Sequence, residues 1–289
     1  MSDLNYPEIA QVAARLSIKD PAPTHSDSIP SWISTTVSTW TQNALLRVLR
    51  AGPIPQHIAF VMDGNRRYAR MHQREVHEGH SQGFVSLRRM LEVCLRLDVK
   101  CVSAYAFAID NFKRSPSEVD ALMKLAEEKL FELSQHGDLL QEYGVRLNII
   151  GRRRALPPAV REAAQKAEEL TRNNTRAILN LCMPYASTDE MTQAICMTVD
   201  NAVEEGKDGE DIGEADIEAN LMTSLGGSPP LDMLVRTSGV RRLSDFLLWQ
   251  CCEDTQLYFS PTYWPDFGFW DFLPILLQYQ RKMLHAPSR

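Results

Sequence analysis

His57-Ile58-Ala59-Phe60-Val61-Met62-Asp63-Gly64-Asn65-Arg66-Arg67-Tyr68-Ala69-Arg70 is the stretch from which the fold of this chain can be read. An apolar run of β-strand character stops at one acid and one glycine, then turns at once into arginines. A buried strand that delivers Asp-Gly-Asn-Arg-Arg to a helix start makes a site for a charged ligand. Helix-start N–H groups and arginines favour phosphate oxygens, and the lone carboxylate suits a hard cation such as Mg²⁺. Taken alone, the stretch is equally compatible with an ordinary strand-to-loop turn carrying a solvated basic rim, because short glycine-containing motifs recur by chance.

Outward from this strand, apolar and amphipathic segments alternate. Strands are expected at 57–62, 100–107, 145–150, 176–182, 231–236 and 256–260, and helices at 79–97, 116–142, 157–173, 187–205, 214–224 and 271–284. Continuous apolar strands such as Cys101–Phe107, separated by helices, predict an α/β fold: a central, mostly parallel sheet covered by helices on both faces. No internal repeat or linker divides 51–289, which reads as one domain. Ahead of it, residues 1–30 carry Pro21, Pro23 and Pro30 among Ser, Thr and Asp, and read as a flexible segment. Residues 31–50 read as an amphipathic helix ending before Gly52-Pro53. Its tryptophans and the Arg47/Arg50 pair suit a membrane surface, while helical periodicity by itself favours docking on the protein's own core.

Composition narrows the class. At 289 residues and 44% hydrophobic the chain can bury a full core, and its net charge of −6 speaks against a broad nucleic-acid footprint, so no nucleic-acid partner is expected. The cysteines Cys94, Cys101, Cys182, Cys196, Cys251 and Cys252 fit no zinc spacing; the first four lie in apolar segments and read as buried thiols of a reduced, cytosol-facing protein. No apolar run spans a membrane and no signal peptide is recognisable, so a soluble or peripheral protein is expected. His77-Glu78-Gly79-His80 is not HExxH and has no third ligand nearby, which argues against zinc.

Polar clusters follow the predicted strands: Asp63 to Arg70, Asp110 to Arg114, Met183-Pro184-Tyr185, and Arg236 to Phe246. In a parallel sheet these ends converge on one crevice. Each cluster alone could be surface charge; brought together, their arginines repel unless an anion neutralises them, and diphosphates are strong candidates.

With His57–Arg70, the motifs Glu78–Phe84 (EGHSQGF), Tyr105–Arg114 (YAFAIDNFKR), Arg236–Gln250 (RTSGVRRLSDFLLWQ) and Tyr263–Phe267 (YWPDF) resemble those of the cis-prenyltransferases, the undecaprenyl diphosphate synthase family. Within it they are most similar to the catalytic subunits of eukaryotic dehydrodolichyl diphosphate synthases. The resemblance runs in order from about residue 50 to 284, and the absence of DDxxD separates the chain from the trans-prenyltransferases. It implies the family fold with an apolar product tunnel, and condensation of farnesyl diphosphate with successive isopentenyl diphosphates for dolichol synthesis and protein glycosylation. Asp63 matches the essential aspartate that handles Mg²⁺. Gly64, Asn65, Arg66, Arg67 and Arg70 match the hold on the allylic diphosphate. Asn111 and Arg114 match a pair at the reacting carbons, and Arg236, Arg242 and Ser244 match the isopentenyl diphosphate seat. His80 opens the helix beneath the phosphate loop as a structural or phosphate-proximal residue. Phe84, Leu87, Met90, Leu91 and Cys94, with Leu122, Leu125, Ala126, Leu130 and Leu133, offer either tunnel wall or ordinary core.

The chain departs from the bacterial pattern in places. Val76 stands where an arginine is usual, and Ala108 and Asp110 are mild exchanges. Gln256, with Glu253 close by, occupies the neighbourhood of a Mg²⁺-associated glutamate. The C-terminus lacks the Arg-x-Gly tail. That last departure implies a heteromer in which a Nogo-B-receptor-like accessory subunit supplies the tail, with an interface in the C-terminal half around Phe246–Trp249 and Trp264. The lipid substrates imply peripheral association with the cytosolic face of the endoplasmic reticulum or with lipid droplets, and shift the 31–50 helix toward a membrane-facing or tunnel-capping role. Two other readings stand beside this one. A non-catalytic scaffold subunit is opposed by the retained Asp63 and arginines, and a self-sufficient homodimer by the missing tail.

Overall fold

The computed structural model describes residues 41–133 and 139–285. Strands β1 (His57–Val61), β2 (Cys101–Tyr105), β3 (Val145–Ile150), β4 (Ala177–Cys182), β5 (Met233–Arg236) and β6 (Gln256–Phe259) form one parallel sheet in the order β3-β4-β2-β1-β5-β6. Each lies within a residue or two of its predicted range. From β1 the chain adds β2 beside it, sends β3 to the edge, fills the gap with β4, and then returns to add β5 and β6 on the other side of β1. The strand order therefore reverses between β1 and β5, and a crevice opens beyond their carboxyl ends.

Helices cover both faces. In chain order they are α1 (41–49), α2 (Asn65–Met71), α3 (Val76–Arg96), α4 (Pro116–Leu133), α5 (Leu139–Glu142), α6 (Pro158–Thr171), α7 (Ser187–Glu205), α8 (Glu214–Ala219), α9 (Met222–Leu225) and α10 (Phe269–His285). The alternation of β1 divides the core. Ile58 and Phe60 join the cluster beneath α3 and α10, whereas Ala59 and Val61 join the opposite one with Tyr185, Leu234 and Phe246. Phe60 stacks its edges on Trp264, Phe267 and Phe272, with centroids 5.6–6.4 Å apart.

Several expectations shift. The helix predicted at 214–224 is two short ones, because Asn220 ends α8 and turns its amide onto the Asp216 carbonyl and Thr198 hydroxyl. The 116–142 helix is seen as α4 and α5; the residues between lie outside the described ones. Cys94, Cys101 and Cys182 are buried, but Cys196 is exposed on the outer face of α7. The predicted segment 1–30 and the first part of the 31–50 helix also lie outside the described residues. In the described part, Leu46 and Leu49 are 4% exposed in the main core and the Leu49 carbonyl accepts from Gln280 Nε2, while Val48 is 70% exposed. Among the described residues no helix is long and apolar enough to cross a membrane.

The amino end of the sheet holds a buried polar seam. His57 Nδ1 donates to the Pro229 carbonyl (2.8 Å), and its Nε2 is 2.8 Å from Ser103 Oγ, which in turn accepts from Asn180 Nδ2 at 2.9 Å. Burial outweighs the Pro229 bond and pulls the His57 pKa down to about 4. An unfolded chain binds this proton near pH 6.5, so stability is full above that pH and is lost as pH falls toward 4, by about 1.4 kcal/mol per unit. We expect the urea midpoint to decline between pH 6.5 and 4.5, less steeply in His57→Gln. Equal midpoints at pH 7.5 and 5 would contradict this.

Candidate active site

Asp63 leaves β1 at the switch point, and its side chain is held from two sides. Arg236, the last residue of the neighbouring β5, donates Nη2 to Asp63 Oδ2 (2.9 Å), and Arg67, one turn along α2, donates Nη2 to Oδ1 (3.2 Å). Partial burial opposes ionisation of Asp63, but hydrogen bonds from Arg236 and Ser238 and the charges of Arg236 and Arg67 outweigh it, holding the carboxyl below its usual range. It is an anion throughout the physiological range. The Asp63 main chain is fixed as well, its N–H donating to Thr237 Oγ1 (3.0 Å) and its carbonyl accepting from the Trp264 N–H (3.0 Å).

Arg236 is the hub. Only 3% exposed, it also gives Nη1 to the Arg242 carbonyl (2.6 Å) and to Ser244 Oγ (2.8 Å), while its Nε is buried without a partner. Arg242 Nε reaches Ser244 Oγ at 3.3 Å. Arg67 binds Ser238 Oγ (2.6 Å) and lies over the Tyr263 ring. The loop between β5 and β6 reaches this geometry through residues in the left-handed region: Ser238 (φ 75°), Ser244 (55°), Asp245 (58°) and Leu247 (48°). For residues other than glycine each costs about 1–2 kcal/mol, which the surrounding bonds must offset. Gly64, at φ 115°, could not be otherwise, since a Cβ there would lie 3.0 Å from Tyr263 Cα.

A second cluster adjoins the first. Arg114 bridges Asn111 Oδ1 (2.9 Å) and Glu118 Oε1 (2.9 Å), and Arg66 Nε sits 3.6 Å from the same Glu118 oxygen. His80 faces this cluster. Burial first, then Arg114, pulls its pKa down to about 4 against the counter-effect of Glu118, so its ring is neutral. Its Nε2, like Asn65 Oδ1, is buried and unpartnered. Both residues line a cavity of about 120 Å³ whose remaining wall is largely apolar, including Phe84, Leu87, Leu125 and Leu130. Of the predicted tunnel candidates, Met90, Leu91 and Cys94 are buried core and do not line it.

The structure thus brings together Asp63, Arg67, Arg236, Arg242 and Ser244 in one group, and Arg66, Asn111, Arg114 and His80 beside them. Arg70 is exposed at the last turn of α2 and joins neither. Asp110 pairs with Lys113 in solvent, and Tyr185 is fully buried below the crevice. Sequence reading passed over Thr237, Ser238 and Tyr263, although all stand inside quoted motifs, and Glu118, signalled only by its four-residue spacing from Arg114. Within the Phe246–Trp249 and Trp264 regions expected at a subunit interface, Leu248 and Trp249 are part-exposed, whereas Phe246 and Trp264 are 0% exposed: Phe246 stacks on Tyr105 at 4.3 Å, and Trp264 donates Nε1 to the Gly83 carbonyl at 2.7 Å. Neither side chain is available to a partner. Gln256 pairs in register with Met233 at the amino end of the sheet, about 16 Å along the strands from Asp63, so within this chain it does not assist there.

The residues suit Mg²⁺ in one form only. Among the described residues no cluster of three His, Cys, Asp or Glu could hold a metal unaided. An ionised, 29% exposed carboxylate amid arginines fits an ion that would be held mainly by substrate phosphates and water, with Asp63 as its protein ligand.

The undecaprenyl diphosphate synthase family model matches residues 61–285. The chain belongs to this family, the cis-prenyltransferases. A dehydrodolichyl diphosphate synthase complex subunit of Schizosaccharomyces pombe is 49% identical over 249 residues, covering 83% of this chain and 92% of that protein. The human subunit of the same description is 43% identical over 251 residues, covering 86% and 74%. Lavandulyl diphosphate synthase from Lavandula x intermedia, solved with dimethylallyl diphosphate, superposes with a TM-score of 0.73 at 32% identity, covering 81% of this chain and 97% of that one. The crevice and the apolar cavity of this cis-prenyltransferase therefore belong to a family of prenyl diphosphate enzymes.

Proposed function

We propose that this cis-prenyltransferase elongates farnesyl diphosphate with isopentenyl diphosphates to a long polyprenyl diphosphate for dolichol synthesis. The observation that carries the reading is the pairing of a cationic crevice with an apolar cavity: Asp63, Arg67 and Arg236 form the crevice, and Asn65, two residues after Asp63, lines the cavity with His80. An amphipathic ligand with a diphosphate head and a hydrocarbon tail fits both.

Arg66, Arg67 and the α2 amino terminus at Gly64–Asn65 hold the allylic diphosphate with its tail toward the cavity. Arg236, Arg242 and Ser244 hold isopentenyl diphosphate. Arg114 fixes the Asn111 carbonyl, which leaves the Asn111 amide N–H groups for a phosphate oxygen. The allylic C1–O bond breaks as the isopentenyl double bond forms the new C–C bond, and the proton lost sets the cis double bond. A diphosphate oxygen takes that proton, because Asp63 is held ionised by arginines and is no free base. Asp63 would hold Mg²⁺ beside the diphosphate, where the ion would supply stabilisation of the charge on the leaving group. The neutral His80 and Asn65, each with an unpartnered polar atom, mark the boundary between head and tail.

The relatives named as complex subunits support a heteromeric partner, and we propose that it is of Nogo-B-receptor type. Lipid substrates support peripheral binding to the endoplasmic reticulum or lipid droplets, with the amphipathic segment expected at 31–50 as the facing element. The test is incorporation of radiolabelled isopentenyl diphosphate with and without the accessory subunit, using farnesyl, geranylgeranyl and dimethylallyl diphosphates as starters. We expect the highest kcat/KM with farnesyl diphosphate and a gain of at least tenfold from the partner (about 1.4 kcal/mol or more). A preference for geranylgeranyl diphosphate refutes the starter assignment; full activity of a homodimer refutes the heteromer.

A further inference from the structure

Arg242 and Ser244 reach Arg236 only because the segment after them follows a backbone path that most residues avoid, with Ser244, Asp245 and Leu247 at positive φ. Much of what holds that path lies on another element, the first turn of α7. Asp245 is the link. Its carbonyl accepts from the Ser187 N–H (2.8 Å), its Oδ1 from the Thr188 N–H (2.9 Å), and its Oδ2 from the Thr188 hydroxyl (2.6 Å). Ser187 Oγ in turn accepts from the Leu248 N–H (2.9 Å). From the other side, Tyr105 donates its hydroxyl to the Ser244 carbonyl (3.3 Å) and stacks on Phe246.

The charge of Asp245 makes the arrangement informative. A free carboxylate next to Ser244 would repel a diphosphate. Both Asp245 oxygens are instead committed to the amino terminus of α7, where the unsatisfied N–H groups and the helix dipole favour a negative charge. The acid thus braces an anion seat without facing it. Asp and Asn also tolerate the left-handed conformation better than most residues.

We propose that Asp245 is a positioning residue for the reaction: by gripping Ser187 and Thr188 it holds Ser244 and Arg242 against Arg236, and so sets the affinity for the diphosphate bound there. This rests on the reading that the Arg236 seat takes isopentenyl diphosphate. The residue touches no substrate and acts through Ser244 and Arg242.

The experiment is steady-state kinetics of the assembled enzyme with Asp245→Ala, Asp245→Asn, Thr188→Val and the Asp245→Ala/Thr188→Val double variant, varying each diphosphate separately. Asp245→Ala is expected to raise KM for isopentenyl diphosphate by about tenfold, the loss of hydrogen bonds to a charged group, with kcat and the allylic KM within about twofold. Asparagine can rebuild the grip, its Oδ1 accepting from Thr188 N–H and its Nδ2 donating to Thr188 Oγ1, so Asp245→Asn restores the wild-type KM. Thr188→Val leaves the loop's own residues untouched and should raise the same KM, and the double variant should be no worse than Asp245→Ala. An isopentenyl KM unchanged in Asp245→Ala overturns the proposal. So does failure of Asp245→Asn to rescue, or a fall in kcat with a rise in both KM values and a lowered melting temperature, which marks a purely structural role. A rise confined to the allylic KM overturns instead the seat assignment beneath it.

Discussion

Asp63→Asn is expected to reduce isopentenyl diphosphate incorporation by about 10³-fold, the order lost when one charge-stabilising group is taken from a transition state. The change keeps the shape of the side chain and removes its charge. The fold should survive. Arg236 is nearly fully buried, so losing its counter-charge carries a cost, but three features limit it: Asp63 is 29% exposed, Arg67 is 41% exposed, and Arg236 keeps its bonds to Ser244 and the Arg242 carbonyl. A destabilisation of about 1–2 kcal/mol follows, well short of unfolding. Incorporation near the wild-type rate would remove Asp63 from the chemistry, whatever the denaturation midpoint does.

The largest effect on stability is expected at Trp264. It is fully buried, packs on Phe60 and Phe267, bonds the Gly83 carbonyl through Nε1, and donates its main-chain N–H to Asp63. Trp264→Ala should therefore cost about 3–5 kcal/mol, a large share of a typical domain's stability. Urea unfolding would show this as a lower midpoint. Trp264→Phe, which keeps most of the packing, should lose much less. The same measurement separates the two readings of this residue: an alanine variant of unchanged stability that fails to bind its partner would return Trp264 to the interface.

Much of the fold was legible because its signals are local. The run at 57–62 is a strand with near-correct ends because a strand buried on both faces is nearly continuous in apolar residues, and 145–150 is one because its apolar residues alternate with Arg146 and Asn148 as an edge strand's do. Asp63 could be singled out as the acid ending such a strand. The arginines of the Arg66–Arg70 and Arg236–Arg242 clusters could be counted but not placed, for a side chain's reach depends on the helix phase and loop path that carry it. Arg67 turns in toward Asp63, whereas Arg70, three residues on, is left in solvent. Glu118 was missed because a carboxylate on a helix surface looks the same whether it faces water or two arginines.

The sequence by itself determined the alternation of strands and helices, the family, and the residue types at the ends of β1 and β5, because periodicity and ordered motifs are properties of the chain alone. Only the tertiary structure decided that β5 lies beside β1, which brings Arg236 onto Asp63 across 173 residues of chain. It also decided that Phe246 and Trp264 serve the core and that Asp245 grips α7. The physical reason is common to all three: burial, strand order and ion pairing depend on which distant segments share a surface, and no local pattern encodes that.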